Sequence, residues 1–143
     1  MRRNFLSYLH RGTFFTFLSL ALSYPVVEGL IESRNMTLAN TYTSYTRIED
    51  AMKDLEEERR LMGLQDHHIF VAFDDIHHSA SSQTLDDSVS VINLGRVRNK
   101  GSLKHEMYHI RETLRGGVPF WRTIYPFSAI EEWKATSYAF GKD

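Results

Sequence analysis

Leu103-Lys104-His105-Glu106-Met107-Tyr108-His109-Ile110 is the stretch around which the rest of the chain is organised. It contains H-E-x-x-H, the spacing by which one helix presents two imidazoles and a carboxylate to a zinc ion. Residues four apart on a helix sit one above the other, so His105 and His109 can both reach a single metal. Glu106 lies about 100° further round the helix, beside the metal instead of pointing at it. That offset suits a general base acting on an activated water.

The flanks of this stretch read as one helix. Gly95 to Gly101 is a polar loop, and Ser102 is the expected N-cap. Leu103, Met107, Ile110 and Leu114 follow at i, i+4, i+7 and i+11, a stripe that belongs on a core. Gly116-Gly117 ends the helix. The two histidines fall on another face, so core packing does not account for them.

Two histidines leave a catalytic zinc one protein ligand short. The candidate lies in Ser128-Ala129-Ile130-Glu131-Glu132-Trp133-Lys134-Ala135-Thr136-Ser137-Tyr138-Ala139. Ser128 and Glu131 have the form of a capping box, which gives Glu131 a structural job. Glu132 has no such role. Ile130, Trp133, Ser137 and Phe140 mark one face expected to pack. Glu132, Ala135, Thr136 and Ala139 mark another, whose small side chains allow a second helix to approach closely. Glu132 is therefore the expected third ligand.

Upstream, Thr46-Arg47-Ile48-Glu49 has the capping-box pattern. Ile48, Met52, Leu55 and Met62 recur behind it at helical spacing, and Gly63 is a natural C-cap. The run Glu56-Glu57-Glu58-Arg59-Arg60 reads as a solvated face. This helix should cover one face of a sheet. Ile69 to Phe73 reads as a buried strand, stopped by Asp74-Asp75. Ser79 to Leu85 is a weaker strand that Asp86-Asp87 turns into Ser88 to Leu94, an expected antiparallel hairpin. The pairs His67-His68 and His77-His78 lack ligand spacing and read as surface residues.

At 143 residues the chain is one small domain. A hydrophobic content of 42% with 13% aromatics is enough for a core and excludes general disorder. The net charge of −1 offers no basic excess to attract nucleic acid. The absence of cysteine excludes disulfides and thiolate zinc sites, so a metal here must use His and carboxylate ligands.

The N-terminus pairs Arg2, Arg3 and Arg11 with an apolar run from Phe14 to Leu22. This pattern fits a secretory signal peptide at residues 1–23, with cleavage after Ser23. The alternatives are an uncleaved membrane anchor that runs on towards Ile31, interrupted by Pro25 and Glu28, and an amphipathic helix packed on the domain. The expected location is secreted or extracytoplasmic, membrane-anchored if the segment stays. Residues 24–40 form a lead-in that includes the sequon Asn35-Met36-Thr37. The domain itself spans 41–143.

H-E-x-x-H joined to a Glu on a following helix resembles the gluzincin clan of zinc metallopeptidases. Glu132 to Ala139 is similar to the E-F-x-A-D-x-x-A signature of the HtpX-like peptidases, and the short chain is similar to minimal gluzincins. The resemblance covers about residues 41–143. It implies an α+β, minimal zincin-like domain: an N-terminal helix, a small mainly antiparallel sheet, an active-site helix and a Glu-ligand helix. It further implies Zn2+ held by His105, His109 and Glu132, Glu106 as general base, and a peptide or protein substrate paired along Val89–Leu94. Tyr125 and Tyr138 are candidates for a second electrophile. One residue departs from the pattern. The family's Asp four residues after the Glu ligand is Thr136 here, a hydroxyl without charge behind a zinc-bound histidine. A zinc-binding relic acting as an interaction module is the alternative that this departure keeps open, and a third reading has the motif accidental on a small membrane-tethered interaction protein.

Overall fold

In the computed structural model the described residues are 41–116 and 127–141, with helical positions scattered between 23 and 37. The expected signal or anchor segment lies almost wholly outside them, as does Tyr125. No described helix is long and apolar enough to cross a membrane. The fold is α+β, in the order α1 (Ile48–Met62), β1 (His68–Phe73), β2 (Ser81–Thr84), β3 (Val89–Leu94), α2 (Lys100–Gly116) and α3 (Phe127–Phe140).

Helix α1 follows Arg47, whose backbone is extended and whose side chain caps nothing. The expected Thr46–Glu49 capping box is therefore absent, and the Arg47 guanidinium pairs with Glu49 at 3.2 Å. The helix ends as expected at Gly63, where φ is 70° and the N–H reaches the carbonyls of Arg59 and Arg60. A left-handed φ costs glycine little, which is why it terminates helices. The buried stripe of α1 is Ala51, Leu55, Glu58 and Met62. Met52 is exposed. Glu58 is 1% exposed, so the run 56–60 is not wholly a solvent face.

The sheet order is β1-β3-β2. The expected hairpin is present, with β2 antiparallel to β3 and the Asp86 carboxylate accepting the Ser88 N–H at 2.7 Å in the turn. The other pairing is parallel, from His68↔Val89 to Phe73↔Leu94, so the sheet is mixed instead of mainly antiparallel. The chain leaves β1, crosses to the far side to lay down β2, and turns back into the space between them. Val89–Leu94 is thus the central strand, paired on both sides, and is not an edge available to a substrate. The edge on that side is β2.

One face of the sheet is packed and the other is open. Ile69, Ile92 and Leu94 point inward, while Phe70 on the outer face is exposed. Helices α1 and α2 cover the inner face, and Leu55, Leu103, Met107 and Ile110 join Ile92 and Leu94 in the core. Each such side chain fully withdrawn from water contributes about 1.5–3 kcal/mol before entropy is counted. Of the four histidines near the strands, His68, His77 and His78 are exposed as expected. His67 is not. Its Nε2 lies 2.8 Å from Ser90 Oγ and its Nδ1 lies 3.2 Å from the Asp87 carbonyl, pinning the chain before β1 to the hairpin turn.

Candidate metal centre

Helix α2 begins earlier than its sequence indicates. Asn99, buried, accepts the Ser102 N–H at 3.0 Å on its side-chain oxygen, while its backbone carbonyl accepts the Leu103 N–H at 3.0 Å. Asn99 is therefore the N-cap. Ser102 lies in the first turn, where its hydroxyl donates to the Val97 carbonyl at 2.8 Å. Beyond it Leu103, Met107 and Ile110 are buried in the core and Leu114 partly so, as their spacing requires. His105 and His109 turn away from that stripe and are half-buried.

Among the described residues the backbone of helix α3 packs on α2, while its Tyr138 side chain reaches α1. The buried residues of α3 are Ala135, Thr136 and Ala139. The face expected to pack through Ile130 and Trp133 is instead half-exposed. Small side chains win here because they let the two helices approach closely, which bulky ones prevent. Gly101 on α2 meets the same demand: a Cβ there would lie 2.2 Å from the Phe140 ring. Ser128 falls inside the helix as described instead of at its N-cap, and Glu131 pairs with Lys134 at 3.0 Å.

The close approach carries Glu132 to the histidines. Its Oε2 lies 3.1 Å from His105 Nε2 and its Oε1 lies 3.3 Å from His109 Nε2. The two Nε2 atoms are 3.1 Å apart. One donor atom from each residue falls within 4.8 Å of the others, so these three could hold a metal ion. Donors round a tetrahedral ion with bonds of about 2.0–2.1 Å stand about 3.3 Å apart. The observed separations match that spacing, and a two-imidazole, one-carboxylate set is suited to zinc among other divalent ions.

The charges of the group are mutually adjusted. Burial disfavours the Glu132 carboxylate, but hydrogen bonds and charge from His105 and His109 outweigh it and hold the group well below the usual carboxylate range. Burial likewise disfavours a charged His109. The Glu132 hydrogen bond and the nearby carboxylates of Glu132, Glu106 and Glu131 outweigh that and push its pKa up.

Glu106 stands beside the group and is buried. Its Oε2 accepts the Ser82 hydroxyl at 2.6 Å, a contact across from the edge strand β2. Ser82 was not foreseen. The signal for it is its pairing with Ile92, which places both residues on the inner face of the sheet. Thr136 lies behind the centre, with Oγ1 3.5 Å from His105 Nδ1. Tyr138, a candidate electrophile, donates its hydroxyl to Glu58 at 3.2 Å. Tyr108 is buried and meets His109 edge-on, with ring centroids 6.1 Å apart.

Compared with family models, curated proteins and solved structures, the chain matches none of them.

Proposed function

We propose that this chain is a zinc-dependent endopeptidase of gluzincin type. The observation that supports it best is the convergence of His105, His109 and Glu132 on one point, with Glu106 buried beside them. A zinc ion in that donor set supplies Lewis acidity, lowering the pKa of water towards about 7 and polarising a carbonyl. Glu106 takes the proton of the attacking water and later delivers it to the leaving amine. Ser82 holds Glu106 by one oxygen, and the proton transfer is assigned to the other.

The substrate is an extended peptide or protein segment. Among the described residues strand β2 is paired on one side only, and its other side would offer the backbone groups for strand addition. Ser82 on this strand then links the docking edge to the base. In this reading the N-terminal signal peptide or anchor delivers the domain to a secreted or membrane-attached site outside the cytoplasm.

The second reading is a zinc-binding relic that recruits a partner without hydrolysis. Thr136 supports it, since an uncharged hydroxyl 3.5 Å from His105 is a weaker support for a zinc ligand than a carboxylate. The experiment is to purify the wild-type chain and Glu106→Gln, measure zinc content, and follow cleavage of an unstructured protein. Peptidase function requires stoichiometric zinc in both and cleavage by the wild type alone. Zinc without wild-type cleavage selects the relic. No zinc in either overturns both readings.

A further inference from the structure

We propose that Glu58 is a positioning residue for the metal centre, tying the Glu132 helix to the histidine helix from below. This rests on the zinc reading of the preceding section and adds a residue that lies outside the ligand set.

Glu58 occupies a core position of α1, in line with Ala51, Leu55 and Met62, and is 1% exposed. A carboxylate in such a place is costly unless its oxygens are bonded, and a whole buried pair can often be exchanged for apolar residues of similar volume without loss of stability, whereas removing one partner is destabilising. Stability does not require that this core position carry a polar group at all. Its two oxygens reach two different helices. Oε1 lies 3.6 Å from the Lys104 ammonium, on the residue just before His105. Oε2 accepts the Tyr138 hydroxyl at 3.2 Å, on the helix that carries Glu132.

Helix α3 needs such a tie. Among the named elements its backbone approaches α2 alone, and it is further touched by single side chains, Tyr42 at Ala139 and Phe140 and Arg34 at Trp133. Rotation of α3 matters for the site. At a side-chain radius of about 5–6 Å, turning α3 by about 20° moves the Glu132 carboxylate by about 2 Å, the length of a metal–ligand bond. The Tyr138 hydroxyl bond opposes that turn. Tyr138 is itself seated against Tyr108, with ring centroids 5.8 Å apart, beneath the Arg111 guanidinium. Glu58 thereby couples the base of the domain to the geometry of Glu132 without touching a ligand.

The test uses the full chain as wild type, Glu58→Leu, Glu58→Gln and Tyr138→Phe. Zinc affinity is read by competition with a chromogenic chelator, coordination geometry by the visible spectrum of the cobalt(II)-loaded chain, and fold by melting of the metal-free chain. Glu58→Leu and Tyr138→Phe are expected to weaken zinc binding by about 10–100-fold and to alter the cobalt bands. Metal-free Glu58→Leu should melt lower than wild type, because Lys104 and Tyr138 both lose their partner, so Tyr138→Phe, which leaves no charge unpaired, carries the comparison. Glu58→Gln, which keeps an acceptor for Tyr138, should restore affinity to within a few-fold. Wild-type affinity in both Glu58→Leu and Tyr138→Phe overturns the proposal and leaves the zinc reading standing. A loss confined to Glu58→Leu and matched by its unfolding also overturns it. A wild-type chain that binds no zinc overturns the zinc reading and this proposal together.

Discussion

Replacing Thr136 by Asp should tighten zinc binding at the expense of the metal-free fold. Thr136 Oγ1 lies 3.5 Å from His105 Nδ1, at the outer limit of a hydrogen bond. Aspartate carries its oxygens one bond further from the backbone, enough to close that gap to the roughly 2.7–2.9 Å of a charge-assisted bond. Carboxylate support of a metal-bound imidazole is typically worth about 10–100-fold in affinity, or about 1.4–2.7 kcal/mol. The position is 1% exposed, so the new carboxylate is desolvated on folding. That costs the metal-free chain about 1–3 kcal/mol. Under zinc in excess, the tighter binding returns about 1.4–2.7 kcal/mol by mass action, and the two effects nearly cancel. The expected pattern is a lower melting point without zinc, a melting point near wild type with it, and a dissociation constant reduced at least tenfold by chelator competition. A folded Thr136→Asp chain that binds zinc no tighter than wild type would refute the placement of Thr136 behind a ligand.

The choice of third ligand is checked by zinc content of Glu131→Ala and Glu132→Ala: only the second should lose the metal, and the reverse result would show the wrong carboxylate was assigned. Gly101→Ala must push the Phe140 ring aside, since the new Cβ would sit 2.2 Å from it. Overpacking of about 1–3 kcal/mol less about 1 kcal/mol of helix propensity predicts a net loss of up to about 2 kcal/mol in denaturant titration. A more stable variant would refute the close helix contact. The Tyr45 hydroxyl donates to Asp54 at 2.7 Å, and burial followed by Asp54 raises its pKa well above the ordinary tyrosine value. A group raised on folding stabilises fully below its unfolded pKa of about 10 and loses that contribution above it. Melting should therefore fall as pH rises past about 10, and Tyr45→Phe should fall less. Equal losses in the two chains would rule Tyr45 out as a source.

The cluster of His105, His109 and Glu132 was largely legible because its spacing is local. The H-E-x-x-H turn and the stripe Leu103, Met107, Ile110 and Leu114 both depend on one helix period, and that period survives folding. Glu132 could be chosen over Glu131 because it shares a helical face with Ala135, Thr136 and Ala139, the residues that lie buried against α2. The helix starts were less legible. The S/T-x-x-E pattern at Thr46 and Ser128 is compatible with a cap without requiring one, and the cap of α2 is the asparagine at 99. Strand order was not legible from alternation. It depends on which gap the returning chain fills, and that put β3 in the middle and left β2 as the edge.

The two misread faces have a common cause, which also explains how the centre is assembled. Ile130 and Trp133 look like core residues and Glu58 looks like a solvent residue, yet each does the opposite. Hydrophobicity ranks a side chain's transfer from water, but a helix pair that must bring a carboxylate to two imidazoles is limited first by separation. Alanine, threonine and glycine satisfy that limit, and Ile130 and Trp133 are left half-exposed. Tyr138 against Tyr108 and Phe140 over Gly101 are the bulky contacts the pair retains. A directional bond from a third helix adds to them, and Glu58 is the residue placed to make it. A buried charge and an exposed tryptophan are then two consequences of bringing one carboxylate to two imidazoles between closely apposed helices.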